Sequence, residues 1–272
     1  MVFGGLRLPV RLATGGTLVY FADVLGLAQN LWNGAGVLDG VYSTGELEAA
    51  REGQERFYRG EFDLRPSFPW PAPRRVESRS RKHPYASFFR SELAALARHR
   101  NLAETIRDLT GFAEIRLWHD QLLWEEPRRD RVDEGNYQWH TERSRWKTCR
   151  AKLMVTAWIP LAPVELEMGP ITMVPGSQRR RWIELPDGWE PDERDRQPVA
   201  LEPGQVSLHC WHTVHGNPPN FGREVRRVLA VHFACGPIAY QKHGAFTHVN
   251  ERVVRQIDGR PDFMDEQVCP LV

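Results

Sequence analysis

The sequence predicts an α+β fold that is mainly β, with helices first and an antiparallel sandwich or barrel after them. Three observations support this prediction. The apolar residues follow a helical period up to Gly111, and the period changes to two afterwards. Turns rich in proline and glycine separate the later segments. The length of 272 residues and the apolar fraction of 41% suit one globular domain, and single β domains of this size are common.

The first helix is marked by its start. Ser43 and Glu46 have the spacing of a capping box, which predicts a helix from there to about Tyr58. The proline-rich stretch 66–73 cannot be helical, so we predict an extended loop there.

A second helical region follows a basic segment. Residues 74–83 are rich in arginine and are interpreted as a solvated loop. The pattern of 85–99 is helical, and Asn101 with Glu104 three residues later is expected to cap a further helix that ends at Gly111.

The second half of the chain has the period of a β-strand. From Ala151 to Ile159 every odd position is apolar, as expected for a strand packed on one side. Three more segments enriched in β-branched or aromatic residues are predicted strands: Ile171–Val174, Gln205–His215 and Arg227–Ala234.

The chain is predicted to contain one domain. The Gly-rich residues 1–26 show only a weak pattern and are interpreted as an extension to which the pattern assigns no role. No internal repeat or linker divides 27–272, which we predict to form a single domain.

Composition excludes several classes of function. The net charge of +1 predicts no binding to nucleic acid and no attraction to a membrane surface. The four cysteines lie far apart, so neither a zinc ribbon nor a disulfide framework is indicated, and a cytoplasmic location is expected. Only four of the 36 basic residues are lysine, a bias typical of a GC-rich bacterial genome. Nothing in the sequence sets the oligomeric state.

Trp139-His140-Thr141-Glu142 is the first candidate functional motif. On a strand, residues i and i+2 point to the same side, so His140 and Glu142 are predicted to bind one metal ion together. A second histidine would complete a triad of two histidines and one carboxylate, which suits iron(II) and leaves coordination positions open. The default alternative is a surface histidine beside a surface glutamate, but the flanking Trp139 and Trp146 favour a site.

The segment Gln205–His215 is predicted to be one strand that carries three histidines. On such a strand His209 and His215 share a face, and His212 lies on the other. His215 stands at the strand end, before Gly216 and a proline-rich turn, and is the predicted third ligand. His209 and His212 are interpreted as hydrogen-bonded histidines without a metal.

The run Arg226–Phe233 alternates between two faces. Arg227 belongs to the apolar face, which is expected to pack on the helices, and Arg226 to the face that looks into the β domain. A buried arginine needs an anionic partner. A dicarboxylate that pairs with the guanidinium through both oxygens of one carboxylate would supply it. The alternative is a salt bridge to a protein carboxylate.

Three motifs together resemble the phytanoyl-CoA dioxygenase superfamily: Gly169–Gln178, His215–Asn220 and Arg226–His232. The resemblance covers about 37–237 and is strongest from His140 onward. It implies a double-stranded β-helix (a jelly-roll or cupin-like barrel) with helices packed on one sheet.

The resemblance also implies a site. In this family an H-x-D pair and a distal histidine bind iron(II), and an arginine eleven residues after that histidine binds 2-oxoglutarate. The matching residues here are His140, Glu142 and His215, followed by Arg226. Glutamate stands where aspartate is usual, and its extra methylene requires a shift of the chain or of the ion. A carboxylate at this position argues against a halogenase, in which the position is open for chloride.

Further contacts to 2-oxoglutarate follow from the same resemblance. The tryptophan eighteen residues after the first ligand is Trp158, and the small polar residue two after the distal histidine is Asn217. Gln121 is expected to contribute a polar contact from the strand before the first ligand. Core packing is the alternative for each of these three residues.

The resemblance therefore implies an iron(II)- and 2-oxoglutarate-dependent dioxygenase that uses molecular oxygen and hydroxylates, or otherwise oxidises, a small molecule. The bacterial composition favours a tailoring step in specialised metabolism. Two alternatives stay open: a zinc-type hydrolase that uses the same three ligands, and a metal-binding jelly-roll protein without oxygenase activity.

Overall fold

The computed structural model describes residues 34–73, 78–130 and 137–272, and the backbone of two strands before them. The described α-helices are α1 (Thr44–Arg59), α2 (Ser91–Ala97), α3 (Arg100–Thr110) and α4 (Glu142–Arg145). The described strands are β1 (Val10–Thr14), β2 (Thr17–Tyr20), β3 (Ala35–Leu38), β4 (Ser80–Pro84), β5 (Ile115–Glu125), β6 (Cys149–Arg150), β7 (Leu153–Pro160), β8 (Thr172–Val174), β9 (Gln197–Pro198), β10 (Val206–Cys210), β11 (Val214–Gly216), β12 (Arg226–Cys235), β13 (Ala239–Tyr240), β14 (Gln256–Ile257) and β15 (Arg260–Pro261). Apart from β1 and β2, the predicted extension 1–26 lies outside the described residues.

Antiparallel pairing of the described strands builds one large sheet, one small sheet of three strands, and two pairs, β6 with β13 and β14 with β15. The large sheet has the order β2–β1–β3–β10–β7–β12–β5–β4, and the small sheet has the order β11–β8–β9. β12 lies inside the large sheet, paired with β5 on one side and with β7 on the other. The fold is therefore mainly β with few helices, as the sequence predicts. Among the described helices, none is long and apolar enough to cross a membrane.

The ends of the helices follow the sequence signals in two of three cases. The Ser43 hydroxyl accepts the Glu46 amide at 3.3 Å, and the Glu46 carboxylate accepts the Ser43 amide at 2.8 Å, so the predicted capping box begins α1. α3 ends at Gly111, which is left-handed with φ 72°. The predicted cap at Asn101 is wrong. Only two residues separate α2 from α3, so His99 becomes the N-cap and Asn101 lies inside the helix.

The predictions for the segments between α1 and α3 are partly confirmed. Residues 66–73 contain neither helix nor strand, which confirms the extended loop. Residues 80–84, interpreted as solvated loop, instead form the edge strand β4, because their backbone pairs with β5. The helical region 85–99 divides into a 3-10 turn at Ala86–Phe88 and the short helix α2.

Two apolar layers lie on opposite faces of the large sheet. Leu229, Val231 and Phe233 of β12 pack in a core that also contains the apolar residues of the helices. Val228 and Ala230 belong to a second cluster with side chains of β7 and β8. The predicted alternation of β12 is therefore confirmed, and its even-numbered face looks away from the helices.

The predicted single strand Gln205–His215 is wrong. The chain forms β10, then a turn in which the Thr213 amide donates to the Cys210 carbonyl at 3.0 Å, and then β11. The Thr213 hydroxyl also donates to the Gly34 carbonyl at 2.7 Å, which fixes the turn. β10 and β11 belong to different sheets, so the periodicity of one strand does not run through the segment.

Candidate active site

His140 and His215 face each other across an antiparallel bridge. The amide of each donates to the carbonyl of the other, in both cases at 3.0 Å, and the ring centroids are 4.4 Å apart. β11, which carries His215, is held beside β8 because the Ser177 hydroxyl accepts the Val214 amide at 2.9 Å. Two histidines that are distant in sequence therefore lie side by side.

Glu142 reaches the same place from a helix. Thr141 has extended backbone, and its hydroxyl accepts the Ser144 amide at 3.3 Å, which caps α4 and makes Glu142 the first helical residue. The predicted placement of His140 and Glu142 on one strand is therefore wrong. The turn into the helix, instead of strand alternation, brings the Glu142 carboxylate to 3.5 Å from His215 Nε2.

The three side chains form a group that could hold a metal. One ligand atom from each of His140, Glu142 and His215 lies within 4.8 Å of the other two. Glu142 and His215 are buried, and half-buried His140 borders a cavity of about 980 Å³. Two imidazole nitrogens with one carboxylate oxygen are the donors of the facial triad that non-haem iron(II) oxygenases use. The donor set fits iron(II).

Backbone carbonyls orient both imidazoles of this group. Nδ1 of His140 donates to the Gln138 carbonyl at 2.8 Å, and Nδ1 of His215 donates to the Thr213 carbonyl at 2.9 Å. Gln138 has a positive φ of 51°, which is uncommon outside glycine and turns its carbonyl toward the ring. With Nδ1 protonated, each neutral ring keeps the Nε2 lone pair for a metal.

The ionisation of the group also suits metal binding. Burial and the neighbouring His215 lower the pKa of His140 to about 3, so the ring is neutral near pH 7. Burial by itself would raise the pKa of Glu142, but the imidazoles of His232 and His215 hold that pKa well below its usual range. The group therefore offers a neutral nitrogen from His140 and an ionised oxygen from Glu142.

Arg226 lies on the inner face of β12, as predicted. Its Nη1 donates to the carbonyls of Met168 and Pro218, both at 2.9 Å, and to the carbonyl of Gly169. Among the described residues, its other nitrogens have no hydrogen-bond acceptor and no carboxylate is within ion-pair distance. Burial lowers the pKa of Arg226 to about 10, while the charge of Glu125 acts in the opposite direction. The alternative, a salt bridge between Arg226 and a protein carboxylate, is not found among the described residues.

A pocket of about 180 Å³ connects Arg226 to the metal group. His140, Asn217 and Lys82 line this pocket and also line the larger cavity. A small molecule that binds in the pocket therefore has the guanidinium at one end and the candidate ligands at the other.

Besides Arg226, which lines the small pocket, three residues are predicted to contact 2-oxoglutarate, and all three line the larger cavity: Gln121, Trp158 and Asn217. Trp158 Nε1 and Asn217 Nδ2 are buried and have no hydrogen-bond partner among the described residues. Unpaired buried donors are costly, and a carboxylate ligand would satisfy them. Gln121 differs, since its amide nitrogen lies 3.2 Å from His119 Nε2. The site therefore fits an anionic co-substrate.

The two other histidines of the segment 205–215 have separate surroundings. His209 packs against His215 with ring centroids 4.3 Å apart, and its ring nitrogens find no partner among the described residues, so its predicted hydrogen bond is not found there. His212 lies outside the cavity, where its Nδ1 is 3.4 Å from the Trp182 carbonyl. Neither belongs to the metal group.

Several cavity residues are absent from the sequence prediction. The sequence pattern assigns Lys82 to a solvated loop and gives His119, His232 and His248 no role in the site, although all four line the cavity. The alternation of β12 places His232 on the same face as Arg226 and is the one usable signal. Lys82 and His119 reach the cavity through strand pairing that joins segments far apart in sequence.

A mainly β protein with two histidines and a carboxylate near an inward arginine has the features of the non-haem iron oxygenases that use a 2-oxo acid. The sequence model of the phytanoyl-CoA dioxygenase family matches residues 32–228, and the chain belongs to this family. The predicted family and the predicted class of iron(II)- and 2-oxoglutarate-dependent oxygenase are thereby confirmed.

Several solved structures share the fold, and two of them come from nogalamycin biosynthesis. The non-haem α-ketoglutarate-dependent carbocyclase SnoK from nogalamycin biosynthesis is 21% identical, with a TM-score of 0.68. The match covers 92% of this chain and 96% of the SnoK chain. The epimerase SnoN from the same biosynthesis is 22% identical, with a TM-score of 0.64. The match covers 88% of this chain and 98% of the SnoN chain. EvdO2 from Micromonospora carbonacea var. aurantiaca, complexed with 2-oxoglutarate, is 17% identical, with a TM-score of 0.60 and coverages of 82% and 94%. A comparison with curated proteins gave no match.

Proposed function

We propose that this protein is an iron(II)- and 2-oxoglutarate-dependent dioxygenase in which His140, Glu142 and His215 hold the iron. The observation that carries the proposal is the metal group, whose ligand atoms lie within 4.8 Å of one another. Both Nδ1 atoms donate to backbone carbonyls, so both Nε2 atoms are left for the ion.

The co-substrate is assigned to the pocket between the metal group and Arg226. The free nitrogens of Arg226 pair with the distal carboxylate of 2-oxoglutarate. The buried N–H groups of Asn217, in the same pocket, and of Trp158, in the adjoining cavity, donate to its oxygens. Gln121 contributes a contact from β5. Lys82, which lines the same pocket, adds a second cation for a carboxylate.

The chain's own residues position the reactants and exclude water. Three carbonyls fix Nη1 of Arg226, so the guanidinium is oriented before the ligand arrives. Bound iron(II) supplies the activation of molecular oxygen, which is coupled to oxidative decarboxylation of 2-oxoglutarate to succinate and to oxidation of a substrate C–H bond. Aromatic side chains around the cavity keep the reacting centre dry.

The remaining assignments concern the whole protein. We infer that the substrate is a small molecule and that the reaction belongs to bacterial specialised metabolism, in keeping with the biosynthetic proteins that share the fold. The two sheets correspond to the two faces of a double-stranded β-helix, and residues 27–272 form one domain. All four cysteines are free and buried, which suits a cytoplasmic protein.

The proposal is tested by titrating the metal-free protein anaerobically with iron(II). One ion per chain is expected, and replacement of any one ligand in His140→Ala, Glu142→Ala or His215→Ala should weaken binding at least roughly 100-fold, because a facial triad cannot be completed. His212→Ala is the matched control and should bind like the wild type.

The same preparation separates an oxygenase from a zinc-type hydrolase. Added 2-oxoglutarate should tighten iron binding and give the visible charge-transfer band of a chelated 2-oxo acid. Full iron affinity in the His215→Ala protein, or iron binding that 2-oxoglutarate leaves unchanged, would contradict the proposed function.

A further inference from the structure

Three imidazoles form a wall of the cavity beside the metal group. His232 Nδ1 is 3.9 Å from the Glu142 carboxylate, and the His232 ring stacks on His119 with centroids 5.6 Å apart. His119 in turn meets His248 edge to face, again at 5.6 Å. We call His119, His232 and His248 the imidazole wall. The wall leads stepwise away from the metal group, and the predicted ligands and 2-oxoglutarate contacts do not include it.

The hydrogen bonds of the wall determine which ring nitrogen carries the proton. His248 Nδ1 accepts the Asn250 amide at 3.1 Å, so the neutral ring is protonated at Nε2. His119 Nε2 accepts from the Gln121 side-chain amide at 3.2 Å, so its proton is on Nδ1. Burial lowers the pKa of His248 to about 3, which keeps this ring neutral near pH 7.

Neither of these two N–H groups has a hydrogen-bond acceptor among the residues that the structure describes. His119 Nδ1 is fully buried, and no hydrogen-bond acceptor for it is found among the described residues. No acceptor for His248 Nε2 occurs in that part of the chain either, and both residues line the cavity. A buried donor without an acceptor costs about 1–3 kcal/mol, so such donors usually serve a ligand or water.

Aromatic side chains also line the cavity. Trp70, Trp146 and Phe246 line it, and Trp146 packs edge to face on His232 at 4.9 Å. At the rim, Lys147 is paired with Glu184, so that cation is already neutralised. Apolar walls with a few directed polar groups are the usual character of a small-molecule site.

We propose that the imidazole wall is the substrate subsite, and that it takes an uncharged ring compound bearing a carbonyl or hydroxyl oxygen. The oxygen accepts the N–H of His248 and of His119, while the ring packs against Trp146 and Phe246. Because the wall begins 3.9 Å from Glu142, a substrate held at its far end by its oxygen presents C–H bonds to the metal group. This assignment rests on the proposed function in that the subsite serves the same reaction.

The test uses three probes and isothermal calorimetry on the full chain, without metal and with Mn(II) and 2-oxoglutarate. 2-Acetylnaphthalene has a neutral ring and an acceptor oxygen, 2-ethylnaphthalene lacks the oxygen, and 2-naphthoate adds a negative charge. The acetyl compound should bind about tenfold more tightly than the ethyl compound, as expected for a hydrogen bond of about 1.4 kcal/mol. His248→Phe should lose that difference and keep the affinity for the ethyl compound.

Two further variants make the result independent of one substitution. His119→Phe should show the same selective loss, whereas His212→Phe, outside the cavity, should bind all three probes like the wild type. Equal affinity for the acetyl and ethyl compounds, or tightest binding of 2-naphthoate, would overturn the proposal. The titration without metal reports on the wall alone, so a failed iron site and a failed subsite give different results.

Discussion

Arg226 and Arg227 are adjacent residues with opposite surroundings. Arg227 faces the helices, where its guanidinium pairs with Glu55 at 2.9 Å and lies 4.3 Å from the Trp124 ring centroid. Arg226 faces the pocket of about 180 Å³, and its only hydrogen-bond partners in the described part of the chain are carbonyls. Arg227 is therefore already paired with a carboxylate, whereas Arg226 can still bind an anionic ligand.

This difference leads to a prediction for the co-substrate. Arg226→Ala should raise the KM for 2-oxoglutarate roughly 100-fold, because two charge-assisted hydrogen bonds of about 1.5 kcal/mol each are lost. Iron affinity without the co-substrate should be unchanged. The measurement is 2-oxoglutarate-dependent succinate formation together with an anaerobic iron titration.

Arg227→Ala is the matched control. It should lower the free energy of unfolding by no more than about 1 kcal/mol, since its ion pair is partly exposed, and should leave the KM unchanged. Similar KM values for the two variants would mean that the guanidinium of Arg226 does not contact 2-oxoglutarate.

The positions of single residues could be predicted where they follow from the alternation of one strand. The inward position of Arg226 follows from the alternation of β12, and Trp158 follows from that of β7. Lys82 and His119 were not predictable in the same way, because they reach the cavity through the pairing of β4, β5 and β12, which joins distant segments. That His119 Nδ1 has no partner among the described residues becomes visible only when all its neighbours are in place.

At the scale of elements, local signals compete over a few residues. His140 and Glu142 have the spacing of a strand, but the Thr141 hydroxyl captures the Ser144 amide and starts a helix after one residue. The segment from β10 to β11 has strand-like composition throughout, yet the Thr213 hydroxyl bonds to Gly34 and ends the first strand. In both places a threonine side chain decides the backbone path, which periodicity does not detect.

The turn before β8 gives an element-scale prediction. Gly169 is left-handed with φ +66°, and a Cβ there would meet the carbonyls of Pro218 and Pro219 and lie 2.8 Å from Arg226 Nη1. Gly169→Ala should therefore displace the guanidinium and raise the KM for 2-oxoglutarate at least roughly tenfold, while iron binding is retained.

Gly188→Ala controls for the backbone strain. Gly188 has a similar φ of +67°, but a Cβ there would have no atom within 4 Å. Gly188→Ala should lower the free energy of unfolding by about 1–2 kcal/mol, as measured by urea denaturation. Gly169→Ala should lower it further, because its Cβ also meets two backbone carbonyls. If Gly188→Ala raised the KM as much as Gly169→Ala, general destabilisation and not the contact with Arg226 would be responsible.

At the scale of the whole molecule, the sheets bury many imidazoles in one place. Burial lowers the pKa of His232 to about 4 and of His248 to about 3, against about 6.5 in an unfolded chain. A lowered pKa means that the unfolded chain binds protons first as the pH falls. The stability contributed by the neutral rings is therefore complete above pH 6.5 and is lost as the pH falls toward 4.

The size of the effect follows from the same pKa values. For each of these two rings, the free energy of unfolding should fall by about 2 kcal/mol when the pH is lowered from 7 to 5. Asp120 acts in the opposite direction, because burial raises its pKa to about 6 and the folded state takes up its proton first, which offsets about 1 kcal/mol. The balance favours unfolding in acid.

The metal-free protein should therefore melt at a temperature on the order of 10 °C lower at pH 5 than at pH 7, given that about 1 kcal/mol corresponds to about 2–4 °C for a chain of this size. Differential scanning calorimetry at several pH values measures this slope. His248→Phe replaces one titrating ring by a ring that binds no proton. It should therefore reduce the loss of unfolding free energy between pH 7 and pH 5 by about 2 kcal/mol. His243→Phe, at an exposed histidine, serves as the control. A melting temperature that does not change between pH 7 and pH 5, or a His248→Phe slope equal to that of the wild type, would show that these imidazoles are not held neutral in the fold.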